Sequence, residues 1–478
     1  MSIQRVRACA TVALACVVAA GCATNPVTGR RQLALVTEAQ EIQMGRQASQ
    51  EVAQQLGLVE NEALQQYVQR VGAQLAAESE RPDLPWTFRV VDDPTPNAFA
   101  LPGGFIFLTR GMMDLMDSEA EMAAVLGHEI GHVTARHSVT QISRGQLAQL
   151  GLGLGSVLFP SAAQSFGGLA QTGMQLLFLS YSRGAERQAD ELGFRYALNE
   201  GFEVREMDDI FATLMRMGQA SGRSEIPTWL ASHPAEPERI RSAQARADTV
   251  TRTPLNVGRE TYLARIDGLM YGENPRQGFF RGGVFLHPDL RFRIDFPQGW
   301  RTQNLPQAVN ALAPQQDAVM QLTHAQGANA DEAARRFFYQ QGMQPAQVGR
   351  QNVNGSPAVV GYFQAQTQQG VVAGMAAFIE HGGSVYQVMA YTPSQLFRRY
   401  EPAFRQVIFS FDEVSDPSVL NVRPNRVAVV RTTRQMTLAE FNRQHPSVIP
   451  LPELAILNQV EGESSLLPAG QWKRVVTQ

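Results

Sequence analysis

The stretch Ser118-Glu119-Ala120-Glu121-Met122-Ala123-Ala124-Val125-Leu126-Gly127-His128-Glu129-Ile130-Gly131-His132 decides how this chain is read. Ser118 followed three residues later by Glu121 is a capping box, and it stands directly before the apolar Met122, Val125 and Leu126, so a helix is expected to start here and run through residue 128 and beyond. On that helix His128 and His132 are four apart, about 40° of rotation, so both imidazoles leave one face and Glu129 borders it. The chain has only 8 histidines in 478 residues, which makes a chance His-Glu-x-x-His rare. Two stacked buried imidazoles also want a cation or acceptors. The expected cofactor is therefore one zinc ion per chain.

A catalytic zinc takes three protein ligands and keeps a fourth position for water, so a third ligand must come from another element. The segment Tyr181-Ser182-Arg183-Gly184-Ala185-Glu186-Arg187-Gln188-Ala189-Asp190 supplies two carboxylates four apart, again one helical face. That spacing lets Glu186 bind the metal while Asp190 accepts the other ring N–H of a ligand histidine and holds its tautomer. Alone, this segment would read as a solvated acidic face; beside His-Glu-x-x-His it reads as the completion of a metal site.

Four segments together carry a resemblance: Asn97-Ala98-Phe99-Ala100-Leu101-Pro102-Gly103-Gly104, His128 to His132 running on through Arg136-His137, Glu186 with Asp190, and Ser232-His233-Pro234 followed by Glu238-Arg239-Ile240. They resemble the zinc metallopeptidases related to the CAAX prenyl endopeptidase, a gluzincin family, and most of all its BepA-like periplasmic lipoprotein branch. The likeness covers residues 25 to about 245. It stops there, because no tetratricopeptide repeat of the kind that branch carries is visible downstream.

The resemblance implies a zinc-dependent endopeptidase in which Glu129 is the general base and a cationic or imidazole group lies near the oxyanion of the tetrahedral intermediate. Arg239 and His233 are the catalytic candidates for that place; a surface salt bridge and loop packing are the plainer readings. A third possibility for His233 is a fourth, autoinhibitory zinc ligand. His137, extrapolated along a continuous helix, lies at roughly 140° and 180° from the two ligand histidines and is expected to face away from the metal as a structural residue. The strand pair around Pro102-Gly103-Gly104 is expected to form a hairpin whose edge strand pairs with extended peptide, with Asn97 and Ala98 as substrate-binding candidates.

The rest of the sequence sets the boundaries. The 478 residues are enough for about three domains at roughly 150 residues each, and 44% of them are hydrophobic, so one or more sizeable cores can be buried. Lys+Arg 41 against Asp+Glu 44 leaves a formal charge of -3 and no basic run, so nucleic acid is excluded as a partner. Lys473 is the sole lysine, a bias that carries no functional reading of its own. All three cysteines lie at positions 9, 16 and 22, which excludes disulfides and thiolate metal sites downstream.

Arg5 and Arg7 precede an apolar run ending Ala19-Ala20-Gly21-Cys22, so residues 1–21 resemble a bacterial lipoprotein signal with lipidation at Cys22. Ala23 after that cysteine favours the outer membrane, with the body in the periplasm. Residues 25–29 are a tether. The Gly-rich stretch 147–180 is broken by glutamines and is expected to be a helical flap rather than a membrane span.

The expected fold class is multidomain α+β. A mainly helical zincin-type protease domain with a small β-hairpin or sheet occupies residues 22–265. An antiparallel-sheet α+β domain follows at 280–415, where Phe296 to Trp300 resembles the start of the PsbP/Mog1-like fold. A small βααβ module at 424–478 resembles LysM and is expected either to bind peptidoglycan or to serve as a structural cap; its removal is expected to leave hydrolysis intact. Two functions are weighed: an outer-membrane-anchored endopeptidase acting on misfolded, stalled or misassembled envelope proteins, and an envelope chaperone or peptidoglycan-binding scaffold with a closed or inactive metal site.

Overall fold

The structure, a computed structural model, describes residues 22–149, 181–220, 228–234, 237–367 and 370–477. The leader at 1–21 and nearly all of the expected flap lie outside the described residues. No helix among them is long and apolar enough to cross a membrane. Two compact units emerge: residues 22–149, 181–272 and 425–477 form one, and 273–424 the other.

The first unit opens with the short pair β1 (Cys22–Thr24) and β2 (Arg31–Leu33), then α1 (Glu38–Leu56), started by a capping box between Thr37 and Gln40, and α2 (Glu62–Ala77), which buries Tyr67, Val68, Val71 and Leu75 on one face. A three-stranded sheet follows, with β3 (Thr87–Val91), β4 (Ala98–Leu101) and β5 (Phe105–Thr109) in the order β3-β5-β4. The expected hairpin is there, with Ala98 opposite Leu108 and a turn in which Gly103 and Gly104 both adopt positive φ. The parallel pairing of β3 with β5 was not foreseen. It leaves β4 as an edge strand, packed against the His-Glu-x-x-His helix.

A short α3 (Arg110–Leu115) leads into that helix, α4 (Glu119–Thr134), whose residues from Ala120 to Thr134 are all buried. A helix enclosed on every side must be surrounded by other elements, and α4 is the axis of the unit. Ser118 caps it as expected by accepting from the Glu121 N–H. Glu121, however, reaches one residue further back and accepts from the Asp117 N–H at 2.6 Å. The helices α5 (His137–Gln149), α6 (Arg183–Asn199), α7 (Glu206–Ala220), α8 (Thr228–Ser232), α9 (Pro237–Ala247) and α10 (Arg259–Ile266) complete the helical part.

Glu41 of α1 ties several of these parts together. Its buried carboxylate accepts from Arg81 and Arg136 and from the Gly103 N–H of the hairpin turn, while Arg81 also donates to the Val133 carbonyl near the end of α4. One acidic side chain thus fixes the hairpin against the His-Glu-x-x-His helix.

Residues 424–478 do have the expected βααβ order: a strand Asn425–Thr432, helices Leu438–Gln444 and Leu451–Leu457, and a strand Gly470–Thr477 antiparallel to the first. The expectation that this module stands apart needs correction. Its first strand also pairs with Met270–Tyr271, and Val427 is part of the main core of the first unit. Apolar residues on the faces of these elements bury themselves against the helical part rather than within the module alone.

In the second unit a seven-stranded antiparallel sheet and a separate four-stranded sheet pack with the helices Ala330–Phe338 and Phe397–Phe409, in agreement with the expected α+β class. The Asn354-Gly355 and Gly382-Gly383 pairs form left-handed hairpin turns.

Candidate metal centre

The metal-ligand helix α4 and the carboxylate helix α6 approach closely because three glycines line their contact. A Cβ on Gly193 would stand 2.6 Å from the His128 backbone nitrogen, and one on Gly131 would stand 3.0 Å from the Ala189 backbone. This is why positions 127 and 131 of α4 and position 193 of α6 are glycine. Gly193→Val should separate the helices, at a cost of about 1–3 kcal/mol for overpacking, and should weaken zinc binding because Glu186 and Asp190 retreat with α6. Chelator competition and thermal melting check this; parental values in both would show that the close contact is not needed.

The close approach places His128, His132, Glu186 and His233 so that one donor atom from each lies within 4.8 Å of the others, all four buried. His128 Nε2 is 3.0 Å from His132 Nε2 and 3.2 Å from His233 Nδ1. Glu186 Oε1 is 3.1 Å from His233 Nδ1 and 3.5 Å from His132 Nε2, and its Oε2 is 3.6 Å from His128 Nε2. Ligand atoms about 2.0–2.1 Å from a tetrahedral zinc stand about 3.3–3.4 Å apart, which these spacings bracket. Ring nitrogens turned toward one another at such distances need a cation or shared protons between them. The donor set fits zinc.

Asp190 and Arg239 hold this cluster from outside. Asp190 Oδ1 is 2.9 Å from His128 Nδ1, so the His128 ring donates there and keeps its Nε2 lone pair free. Arg239 donates to both oxygens of Asp190 at 2.7 and 2.8 Å, lies 2.8 Å from Glu186 Oε2, donates to the Pro234 carbonyl, and stands over the Phe211 ring. Arg239 was a candidate for the oxyanion; here it is buried and directed at carboxylates, the geometry of a positioning residue. Burial opposes ionisation of Asp190, yet Arg239 and His128 outweigh it and hold its carboxyl well below the usual range. Glu186 behaves alike: burial opposes, but His233, His128 and Arg239 keep it low. Burial pushes the His132 imidazole well below its ordinary value, which leaves it neutral, as a metal ligand must be.

His233 follows the short helix α8, where its N–H bonds the Trp229 carbonyl. Burial opposes its protonation, but Glu186 and Glu129 raise it overall. Glu129 is buried, with Oε1 accepting from the Trp229 indole at 3.3 Å and lying 3.6 Å from His233 Nε2. Its Oε2 has no hydrogen-bond partner among the described residues. Asn97 and Ala98 are both buried at the start of the edge strand; Asn97 exchanges bonds with Thr109, and its side-chain oxygen is likewise without a described partner.

Three participants escaped the sequence reading. Trp229 and Tyr181, the latter stacked on His132 at 3.9 Å and bonded to Ser138, carry no motif signal beyond their neighbours. His137 was expected to face away. Instead α4 ends at Thr134 with Ala135 as its cap, Arg136 takes a left-handed φ of 59°, and His137 swings back so that its Nδ1 is 2.9 Å from His132 Nδ1. The left-handed residue costs roughly 1 kcal/mol, and Arg136 is held there by Glu41 and the Val36 carbonyl. Rotation along an unbroken helix does not apply past such a break.

Residues 62–247 match the family model described as Peptidase family M48. The chain is 31% identical over 242 residues to the beta-barrel assembly-enhancing protease of Yersinia pestis, covering 49% of each chain. It is 31% identical over 223 residues to the mitochondrial metalloendopeptidase OMA1 of Schizosaccharomyces pombe, covering 46% of this chain and 64% of that one. The chain thus spans about half the length of the first relative. Among solved structures it is similar to cyanobacterial PsbP (CyanoP) from Synechocystis, at 12% identity, 28% of this chain, 94% of that chain and a TM-score of 0.24, too low to carry an argument. The four-donor cluster and both helices that build it lie inside the segment matching Peptidase family M48, and this match, with relatives named as metalloendopeptidase and protease, supports a metalloendopeptidase hydrolase.

Proposed function

We propose that this protein is a zinc-dependent endopeptidase that cleaves misfolded or misassembled envelope proteins. The observation that carries the reading is the buried set of His128, His132 and Glu186 at tetrahedral spacing, with Glu129 beside it presenting a carboxylate oxygen that has no partner among the described residues. A zinc ion held there supplies a Lewis acid that polarises a peptide carbonyl and acidifies water. Glu129 takes the proton of the attacking water through Oε2 and delivers it to the leaving amine. Asp190 and Arg239 keep His128 and Glu186 in place. The edge strand beginning at Asn97 and Ala98 offers main-chain groups to an extended peptide, which suits sequence-tolerant cleavage of unfolded chains.

The name of the Yersinia relative, a beta-barrel assembly-enhancing protease, is in keeping with substrates of this kind, and the same proposal includes lipidation at Cys22, an outer-membrane anchor facing the periplasm, and contact of the tail with peptidoglycan. Purified protein should bind one equivalent of zinc, and Glu186→Ala should lose most of it. Full zinc in that variant would remove Glu186 from the ligand set.

His233 is read as a plug. It lies within the four-donor cluster, and an imidazole bound to the ion from there would close the position a nucleophilic water needs. His233→Ala should therefore keep zinc and raise basal casein cleavage and self-cleavage. A loss of roughly a hundredfold would make His233 an oxyanion stabiliser instead, and unchanged activity would return it to loop packing.

A further inference from the structure

We propose that His137 and Gln188 form a relay that fixes the tautomer of His132 for metal binding. The inference rests on the zinc reading above. His132 presents Nε2 to the ligand cluster and Nδ1 to His137 Nδ1 at 2.9 Å, and His137 Nε2 lies 3.0 Å from Gln188 Oε1. His132 and His137 are both buried.

A ligand histidine usually donates its second ring N–H to a carboxylate or carbonyl, which can only accept. His128 has such a partner in Asp190. His132 has another imidazole, which can either accept or donate, so its direction must be set one residue further out.

Two proton arrangements satisfy the chain of three. In the first, His137 Nε2–H donates to Gln188 Oε1, His137 Nδ1 accepts from His132 Nδ1–H, and His132 Nε2 keeps a lone pair for the ion. In the second, the Gln188 amide turns over and donates, every proton shifts, and His132 Nε2 carries a hydrogen that no metal ligand can carry. The carbonyl oxygen of Gln188 facing His137 is the first arrangement. Gln188 stands two residues after Glu186 and two before Asp190 on α6, so the helix that supplies the third ligand also orients the second histidine. The left-handed Arg136 brings His137 into reach.

The test compares two neutral substitutions that a packing role and a relay rank in opposite order. His137→Phe keeps a ring in the buried space but removes the acceptor. His137→Asn fills it poorly, yet its side-chain oxygen can stand where Nδ1 stood. Zinc affinity is read by chelator competition, and thermal melting of the zinc-free forms checks the fold. The relay predicts a loss of about 10- to 100-fold for His137→Phe and recovery of most of it in His137→Asn, even where that variant melts lower. Nitrogen NMR of the zinc-loaded parent should show His137 protonated at Nε2 alone. Equal affinity in the two variants, tighter binding by His137→Phe, or a proton on His137 Nδ1 would overturn the relay while leaving the zinc reading intact. A parent protein that binds no zinc would defeat both.

Discussion

Glu129→Gln should retain zinc at the parental stoichiometry and lose casein hydrolysis by about a hundred- to ten-thousandfold. The substitution is isosteric and the site around it is rigid: Trp229 holds Oε1, and the carboxylate is buried on a helix enclosed on all sides. What changes is Oε2, the oxygen with no partner among the described residues, where glutamine can place a donor instead of a proton acceptor. Since Glu129 is not among the four clustered donors, metal content should not follow activity downward. Hydrolysis within a few-fold of the parent would exclude Glu129 as the base. Loss of zinc along with activity would make the defect structural.

Lys473→Met should lower the stability of the first unit by about 3–5 kcal/mol, the usual result of stripping one partner from a buried ion pair. The ammonium of Lys473 is fully buried, 2.6 Å from Asp117 Oδ1, and donates to the carbonyls of Asp114 and Met116 at 2.8 and 3.1 Å. Burial opposes ionisation of Asp117, but Lys473 and Arg259 outweigh it and keep it charged. Nearby, Gln459 donates to Glu121 Oε2 and to the Leu115 carbonyl. Burial, together with Asp117, pushes the Glu121 carboxyl well above its ordinary range. These contacts meet at the N-terminus of the metal-ligand helix.

A loss of that size is a large share of the roughly 5–15 kcal/mol that holds a domain folded. Removing residues 424–478 altogether should therefore unfold the first unit and release zinc, in contrast to what an independently folded tail would allow. The check is a thermal melt of both variants with zinc content measured in parallel. A truncated chain that melts and hydrolyses like the full one would show that the tail is dispensable.

The sequence by itself determined the residue pattern on which the zinc proposal rests. His128, Glu129 and His132 are bound together by the pitch of one helix, and Glu186 with Asp190 by the pitch of another, so spacing alone placed five residues relative to one another on their own helices. It also determined the hairpin, the α+β class of the second unit and the βααβ order of the tail, because each depends on local periodicity and turn residues. What only the tertiary structure decided involves contacts between distant segments. The packing of Gly127, Gly131 and Gly193 sets how near the two helices come, and long-range carboxylate bonds direct Arg239 inward. A backbone break at Arg136, stabilised by Glu41 some 95 residues away, turns His137 back onto His132. Lys473 looked in sequence like a compositional remnant, yet it is the charge that joins the last strand to the start of the metal helix. The pairings of Lys473 with residues 114–117 lie more than 300 positions apart along the chain, and no local pattern encodes them.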